Sequence, residues 1–192
     1  MTTFVLATHN AHKVDELRRI LGERLGPHEM IAYDGPEPVE DGGTFAENAL
    51  IKARAAAAHT GLPALADDSG ISVAALGGAP GIHSARFAGT RVDADNVAHL
   101  LRELDGVADR TATFDCAAAL VDRDYEHVEL GVWPGWVLEA AEGENGFGYD
   151  PIFRPEGLEV ASARLTPDEK NAISHRARAF GALVEVIRTR FG

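Results

Sequence analysis

The first third of the chain alternates between short apolar runs and longer segments in which apolar residues recur at helical spacing. The short runs, bounded by polar residues or glycine, predict buried strands at 3–8, 30–33 and 62–66. Apolar residues fall on one helical stripe within residues 10–23, which predicts a helix there. A second helix is predicted over 44–59, because Thr44 and Glu47 form a capping box and Gly61 can end the helix.

The rest of the chain favours longer strands. A turn at 67–70 followed by a strand at 71–76 is predicted from "DDSGISVAAL", and Asp93 can cap a helix running to about Leu104. The runs 111–122 and 126–140 predict two neighbouring antiparallel strands. Helices that alternate with strands early and paired strands late predict an α/β fold with a mixed β-sheet and flanking helices.

Composition narrows the class of protein. The chain has 192 residues, a net charge of −12 and 45% hydrophobic residues, which fits a single globular domain over 1–192. An acidic chain is a poor binder of nucleic acid polymers, so we expect none as a partner. No apolar run is long enough to span a membrane and no signal peptide is visible. The lone Cys116 cannot form an internal disulfide, which fits a reducing, cytoplasmic location.

Two adjacent carboxylates, Asp67 and Asp68, follow the predicted strand at 62–66. Desolvating two like charges is costly unless a cation compensates them. Asp, Ser and Gly suit a turn, so a structural role is one interpretation. A metal site is the other, because Mg²⁺ takes one or two carboxylates together with water and substrate phosphates. Glu40, in the acidic loop before the second helix, could supply the second carboxylate, although a solvated loop charge is the alternative.

The segment "ATHNAHK" places polar side chains where a strand leads into a helix. A helix N-terminus favours anions, so Lys13 in its first turn is electrostatically unusual, and a bound phosphate would explain it. The alternative is that Thr8 or Asn10 caps the helix while Lys13 is solvated. The segment lacks the spacing of a Walker A loop.

Two later segments could contact a ligand. In "GFGYD", glycine permits close approach and Phe147 or Tyr149 could stack on a base, or the segment is a turn with core aromatics. In "EKNAISHR", Lys170 and His175 lie about 140° apart around one helix, since each residue turns about 100°. Both can face one ligand only if the helix breaks between them, and Ser174 suits the cap of a second helix.

Five segments carry a combined pattern: "LATHNAHKVDEL", "GGTFAENALIKA", "LADDSGISVAALGGAPGIHSARFAG", "GFGYDPIF" and "LTPDEKNAISHRARA". In this order they resemble the Ham1-type inosine/xanthosine triphosphate pyrophosphatases from about residue 4 to residue 180. The resemblance implies an ITPase-like fold with two lobes and a central cleft, a homodimer, and Mg²⁺ as cofactor. It also implies hydrolysis of a purine nucleoside triphosphate substrate (ITP, dITP or XTP) to the monophosphate and pyrophosphate, which cleans the nucleotide pool.

The resemblance assigns roles to matching positions. Asp68 falls on the family's catalytic acid and metal ligand, and Glu40 on the acidic metal position of the preceding loop. Hypoxanthine and xanthine carry a 6-oxo acceptor, so a buried donor would reject adenine, and His175, Arg176 or backbone N–H groups could be that donor. Substrate-binding positions fall on Thr8, His9, Asn10, Ala11, His12, Lys13, Ser69, Phe147, Gly148, Tyr149, Asp150, Lys170, His175 and Arg176.

This chain also departs from the family pattern. His9 stands where the family usually has glycine, which could narrow the phosphate pocket or add a contact. Val39 stands where a second acid is common, which favours Glu40 as the ligand, with Asp41 as the alternative. Lys52 and Arg86 could also face the cleft. There are two rival functions. One is a Maf-like pyrophosphatase with a different base preference, and "AISHR" argues against it. The other is a non-catalytic nucleotide sensor, and intact Asp68, Glu40 and Lys13 argue against it.

Overall fold

The structure, a computed structural model, describes residues 1–192 and contains six strands and five α-helices. The strands are β1 (Thr3–Leu6), β2 (Glu29–Ala32), β3 (Ala64–Val73), β4 (Thr111–Asp122), β5 (Tyr125–Val137) and β6 (Phe153–Pro155). The helices are α1 (Ala11–Leu21), α2 (Phe45–Thr60), α3 (Asp93–Glu103), α4 (Pro167–Ile173) and α5 (His175–Phe191). None of the helices is long and apolar enough to cross a membrane.

All six strands belong to one sheet, in the order β2-β1-β3-β4-β5-β6. Strand β1 pairs in parallel with β2 and β3, whereas β5 and β6 are antiparallel. The sheet is therefore mixed, as the sequence predicts. The parallel pairs are joined through helices α1 and α2, because a parallel connection needs a crossover segment.

Contacts divide the chain into two compact units. Unit 1 comprises residues 1–68, 116–131 and 174–192, and unit 2 comprises residues 69–115 and 132–173. In unit 1, α1 and α5 bury their apolar stripes in a core that includes Leu17, Leu65 and Phe180, and Cys116 is a buried member of the same core. In unit 2 the core is built around Trp133, and its aromatic and aliphatic members include Ile71, Leu100, Phe114 and Phe153.

The predicted turn at 67–70 is wrong, because β3 runs without interruption from Ala64 to Val73. Gly70, the glycine of "DDSG", is needed for close packing and not for a turn. A Cβ on Gly70 would lie 2.4 Å from Ser84 Oγ and 2.5 Å from Gly81 O, so only glycine fits there. The two aspartates thus lie inside a strand, where alternation sends their side chains to opposite faces.

Helix ends largely follow the predicted caps. Asn10 is the N-cap of α1, and Thr44 caps α2 by accepting the N–H of Glu47, whose carboxylate accepts the N–H of Gly43. Helix α2 ends at Gly61 with φ of 70°. Asp93 does not cap α3; Val92 holds the N-cap position without a side-chain bond. The carboxylate of Asp93 accepts a hydrogen bond from a distant loop instead, as described below.

The C-terminal helical region is divided into two helices, as is needed for Lys170 and His175 to face one ligand. Helix α4 ends at Ile173, and α5 begins at His175. Between them Ser174 is in an extended conformation, and its hydroxyl accepts the N–H of Ala177 at 3.3 Å. The predicted interruption between Asn171 and His175 is confirmed.

Candidate active site

The start of α1 presents one cation beside a self-capped helix end. Asn10 Oδ1 accepts the N–H groups of His12 and Lys13, at 3.0 and 3.3 Å, and Thr8 Oγ1 accepts the N–H of Asn10. Those backbone donors are therefore bonded within the segment. Its charged group is the Lys13 ammonium, which turns toward the sheet and lies 2.9 Å from Asp67 Oδ2.

Asp67 belongs to a buried group of alternating charges in unit 1. Its Oδ2 accepts hydrogen bonds from Lys13 Nζ and from Arg176 Nε, the latter at 3.2 Å. Arg176 also reaches Glu16 Oε2 at 2.9 Å. Burial would raise the pKa of Asp67, but Lys13 and Arg176 outweigh burial and hold that pKa well below its usual range. Asp67 is therefore an ionised anchor for two cations.

Asp68 has different neighbours from Asp67. Its Oδ1 lies 2.9 Å from Lys52 Nζ, and the same ammonium lies 2.8 Å from Glu40 Oε2. Lys52 thus bridges a carboxylate on β3 and a carboxylate in the loop before α2. The separate partners of Asp67 and Asp68 agree with the opposite orientations that strand alternation predicts.

The second carboxylate oxygen of Asp68 is buried and has no hydrogen-bond partner in the protein. Burial raises the pKa of Asp68, against the opposing effect of Lys52. For Lys52, burial lowers the pKa, but the surrounding carboxylates outweigh it and raise the pKa overall. A carboxylate with a raised pKa and an unbonded oxygen is suited to accept a proton.

Glu40 and Asp68 are the residues that fit a metal ion here. No group of three His, Cys, Asp or Glu side chains with metal-binding geometry is present. Two carboxylates sharing one cation, with an unbonded oxygen on Asp68, do fit Mg²⁺, which completes its shell with water and phosphate oxygens. The alternative ligand Asp41 is exposed and forms no ion pair.

The loop before β6, in unit 2, is organised by Asp150. Asp150 Oδ1 accepts from Ser162 Oγ at 2.7 Å, and its Oδ2 accepts from the N–H of Phe147 at 2.9 Å and from Lys170 Nζ. The residue is only 1% exposed, so its carboxylate shapes the loop from within. Lys170 Nζ lies 5.1 Å from the centroid of the half-buried Phe147 ring.

The glycine and tyrosine of this loop are held by other parts of unit 2. Gly148 N–H donates to Asp93 Oδ2 at 2.7 Å, and the Tyr149 hydroxyl donates to the carbonyl of Ser84 at 2.8 Å. Tyr149 is buried among core residues, whereas Phe147 keeps an exposed part. Of the two predicted stacking rings, Phe147 is the one that a base could reach.

The remaining predicted residues have varied surroundings. His175 is buried at the start of α5, and its carbonyl oxygen lies 2.1 Å from the position that a Cβ on Gly131 would take. Ser69 follows Asp68 on β3 and is half-buried. His9 Nδ1 lies 3.0 Å from Glu37 Oε1, so His9 contacts the acidic loop.

Two side chains near the site were not predicted from the sequence, or were predicted only in part. Lys52, weighed only as a residue that could face the cleft, is the bridge between Glu40 and Asp68. Glu16 was not among the predicted site residues. It lies three residues after Lys13 on α1, next to the apolar stripe, and a charged residue beside a buried stripe is the feature of the sequence that could have indicated it. Cys116 is excluded as a nucleophile, because burial raises the pKa of its thiol.

Known proteins resemble this chain in sequence and in fold. Residues 4–186 match the profile of the Ham1 family. The chain is similar to a dITP/XTP pyrophosphatase of Leifsonia xyli subsp. xyli, with 55% identity over 98% of this chain and 96% of the relative. It is 51% identical to a dITP/XTP pyrophosphatase of Streptomyces coelicolor over the whole of both chains. The fold is similar to that of a HAM1 protein from Coxiella burnetii, with a TM-score of 0.90 and 42% identity, and the match covers 98% of this chain and 100% of the other.

Proposed function

The chain belongs to the Ham1 family, and from that membership we propose that it hydrolyses the deaminated purine nucleoside triphosphates ITP, dITP and XTP to the monophosphate and pyrophosphate. Such an activity removes these nucleotides from the precursor pool. The observation that carries the proposal is Asp68, a buried carboxylate with one oxygen unbonded and a pKa raised by burial. It lies beside a second carboxylate and a cation, as a base at a phosphate site requires.

The charge balance of unit 1 supports a requirement for Mg²⁺. Three cations face four carboxylates in and beside the site, so the group carries a formal charge of −1 before substrate binds. A triphosphate would add several more negative charges, and each protein cation already has a carboxylate partner. When bound by Glu40 and Asp68, Mg²⁺ supplies the missing positive charge to the phosphate oxygens. The seven groups are Lys13, Lys52, Arg176, Glu16, Glu40, Asp67 and Asp68.

The reaction we propose is attack of water on the α-phosphorus. Asp68 orients the water and takes its proton while the new oxygen–phosphorus bond forms. The bond from the α-phosphorus to the bridging oxygen breaks, and pyrophosphate leaves with its electron pair. Lys13 stabilises charge on the phosphates, because its ammonium is held at a fixed position by Asp67.

Base selection falls to the other predicted residues. The exposed part of the Phe147 ring is available to stack on the purine, and Lys170 stays fixed beside it through Asp150. A donor from His175 or Arg176 to the 6-oxo group would favour hypoxanthine and xanthine. Adenine has an amino donor there, so it would leave the protein donor unpaired and be rejected.

The family resemblance also supports a homodimer and a single ITPase-like domain over residues 1–192. Exposed apolar side chains on β5, Leu130 and Val132, are consistent with a protein surface that is covered by a partner. A reducing, cytoplasmic setting fits the substrate pool and the lone buried thiol.

A substrate panel tests the proposal. Purified protein is incubated with Mg²⁺ and each of ITP, dITP, XTP, ATP, GTP and dUTP, and kcat/KM is obtained from released pyrophosphate. We expect kcat/KM for ITP, dITP and XTP to exceed kcat/KM for ATP by about a hundredfold, because a buried donor left unpaired costs about 1–3 kcal/mol. Preference for dUTP or another pyrimidine nucleotide would instead favour a Maf-like specificity. Absence of turnover with every nucleotide would contradict an enzymatic role.

A further inference from the structure

One oxygen atom joins two cations that the proposed function assigns to opposite ends of the nucleotide. Asp67 Oδ2 lies 2.9 Å from Lys13 Nζ, assigned to the phosphates, and 3.2 Å from Arg176 Nε, assigned to the base. The Asp67 side chain is fully buried and that of Arg176 is 4% exposed. Solvent therefore does not separate the two cations, and each contact on Asp67 affects the other.

A fourth charge ties this group together. Arg176 NH1 lies 2.9 Å from Glu16 Oε2, and Glu16 is three residues after Lys13 on α1. Lys13, Asp67, Arg176 and Glu16 thus link α1, β3 and the first turn of α5 within unit 1. Because Glu16 and Lys13 share one helix, the arrangement is closed on itself. We call these four residues the charge ring.

The chemistry of the ring makes Arg176 the group that fixes the geometry. A guanidinium is planar and always charged, and its donors have fixed directions, so it orients the carboxylates that it contacts. Lys13 is a flexible ammonium whose position depends on its partner. Breaking a buried ion pair leaves an uncompensated charge, so loss of the Arg176 contact would let the Asp67 carboxylate reorient and carry Lys13 with it.

We propose that Arg176 and Asp67 are positioning residues that hold the Lys13 ammonium for phosphate binding, so that a residue assigned to base reading also sets the affinity for phosphate. This inference rests on the proposed function, since it needs Lys13 to contact the substrate phosphates. It predicts that substitutions at Arg176 weaken binding of a ligand that has no base at all.

Tripolyphosphate with Mg²⁺ is that ligand, and its affinity can be measured by calorimetry and by inhibition of ITP turnover. Arg176→Lys keeps the charge but loses the fixed donor geometry, and we expect it to weaken tripolyphosphate binding about tenfold. Glu16→Gln, at the outer side of the ring, should weaken it by about threefold, because Arg176 loses one charged partner. Arg178→Lys, an exposed position two residues further along α5, is the matched control and should leave binding unchanged.

A double-substitution cycle separates positioning from an independent contact. Lys13→Met alone should weaken tripolyphosphate binding, and adding Arg176→Lys should then weaken it little further, because Arg176 acts through Lys13. Additive losses, or unchanged binding in Arg176→Lys, would overturn the inference. Thermal melts accompany every variant, and Glu16→Gln keeps the test valid if Arg176→Lys does not fold.

The inference and the proposed function fail in different ways. Cleavage of ITP by the unsubstituted protein, together with tripolyphosphate binding that Arg176→Lys and Glu16→Gln leave unaltered, would refute the charge ring and keep the activity. Failure of the unsubstituted protein to bind tripolyphosphate would overturn the phosphate role of Lys13 and the ring with it. Failure to cleave ITP would overturn the activity itself.

Discussion

Replacement of Asp68 by asparagine isolates the proposed base from its role in the fold. The substitution keeps the size of the side chain, and its Oδ1 can still accept the Lys52 ammonium, 2.9 Å away in the native protein. The oxygen that becomes an NH₂ group is the one without a hydrogen-bond partner, so no protein hydrogen bond is broken there. The change therefore removes charge and basicity with little change in packing.

The size of the effect follows from the lost functions. Removal of a general base typically costs about 10²–10⁴ in rate. Loss of a charged metal ligand adds to that, since Glu40 then remains as the only carboxylate beside Lys52. Folding should not suffer, because the raised pKa means that ionised Asp68 costs free energy in the folded state at neutral pH. We expect kcat for ITP to fall at least about a hundredfold while the melting temperature is equal or higher.

The assay is steady-state turnover of ITP at saturating Mg²⁺, with thermal melts of the same samples. Asp34→Asn, an exposed acid in the loop that leads toward Glu40, is the matched control and should retain full turnover. A folded Asp68→Asn protein with near-normal kcat would refute the role of Asp68 as base. A large loss of thermal stability would show that the unbonded oxygen of Asp68 stabilises the fold.

Three further substitutions test the surrounding charges. Lys52→Met removes a cation that lowers the pKa of Asp68, so the acid limb of the pH profile of kcat/KM for ITP should move to higher pH. An acid limb that does not move would show that Lys52 has no effect on the titration of the base. Asp67→Asn should lower the melting temperature at neutral pH. Because the pKa of Asp67 is depressed in the folded protein, the difference in melting temperature between the variant and the unsubstituted protein should shrink as the pH falls below about 4. A difference that persists at low pH would contradict the ion-pair role. Asp150→Asn should lower the free energy of unfolding in urea by about 3–5 kcal/mol, since it removes the carboxylate that pairs with the buried Lys170 ammonium. A loss below about 1 kcal/mol would contradict the central role of Asp150 in its loop.

Features set by neighbouring residues were predictable from the sequence. The N-cap at Asn10, the end of α2 at Gly61 and the helix break at Ser174 each depend on side chains within a few positions. The alternation of Asp67 and Asp68 likewise follows from strand geometry alone. Side chains within a few positions of each site were therefore sufficient to predict the backbone conformation there.

Features set by distant contacts were not predictable in the same way. The turn expected at "DDSG" fails because Gly70 accommodates Gly81 and Ser84, a contact that composition does not reveal. Arg176 meets Asp67 across 109 positions of sequence, so its pairing depends on the completed fold. The Asp93 side chain, a natural helix cap by its type, instead bonds Gly148, 55 positions away.

Identification of the products from ITP tests the central claim most directly. Single-turnover hydrolysis with Mg²⁺ in ¹⁸O-labelled water, followed by ³¹P NMR and mass spectrometry, shows which phosphorus atom receives the water oxygen. Attack at the α-phosphorus predicts IMP that carries the label and pyrophosphate that does not. IDP with labelled orthophosphate, or labelled pyrophosphate with unlabelled IMP, would contradict the proposed reaction.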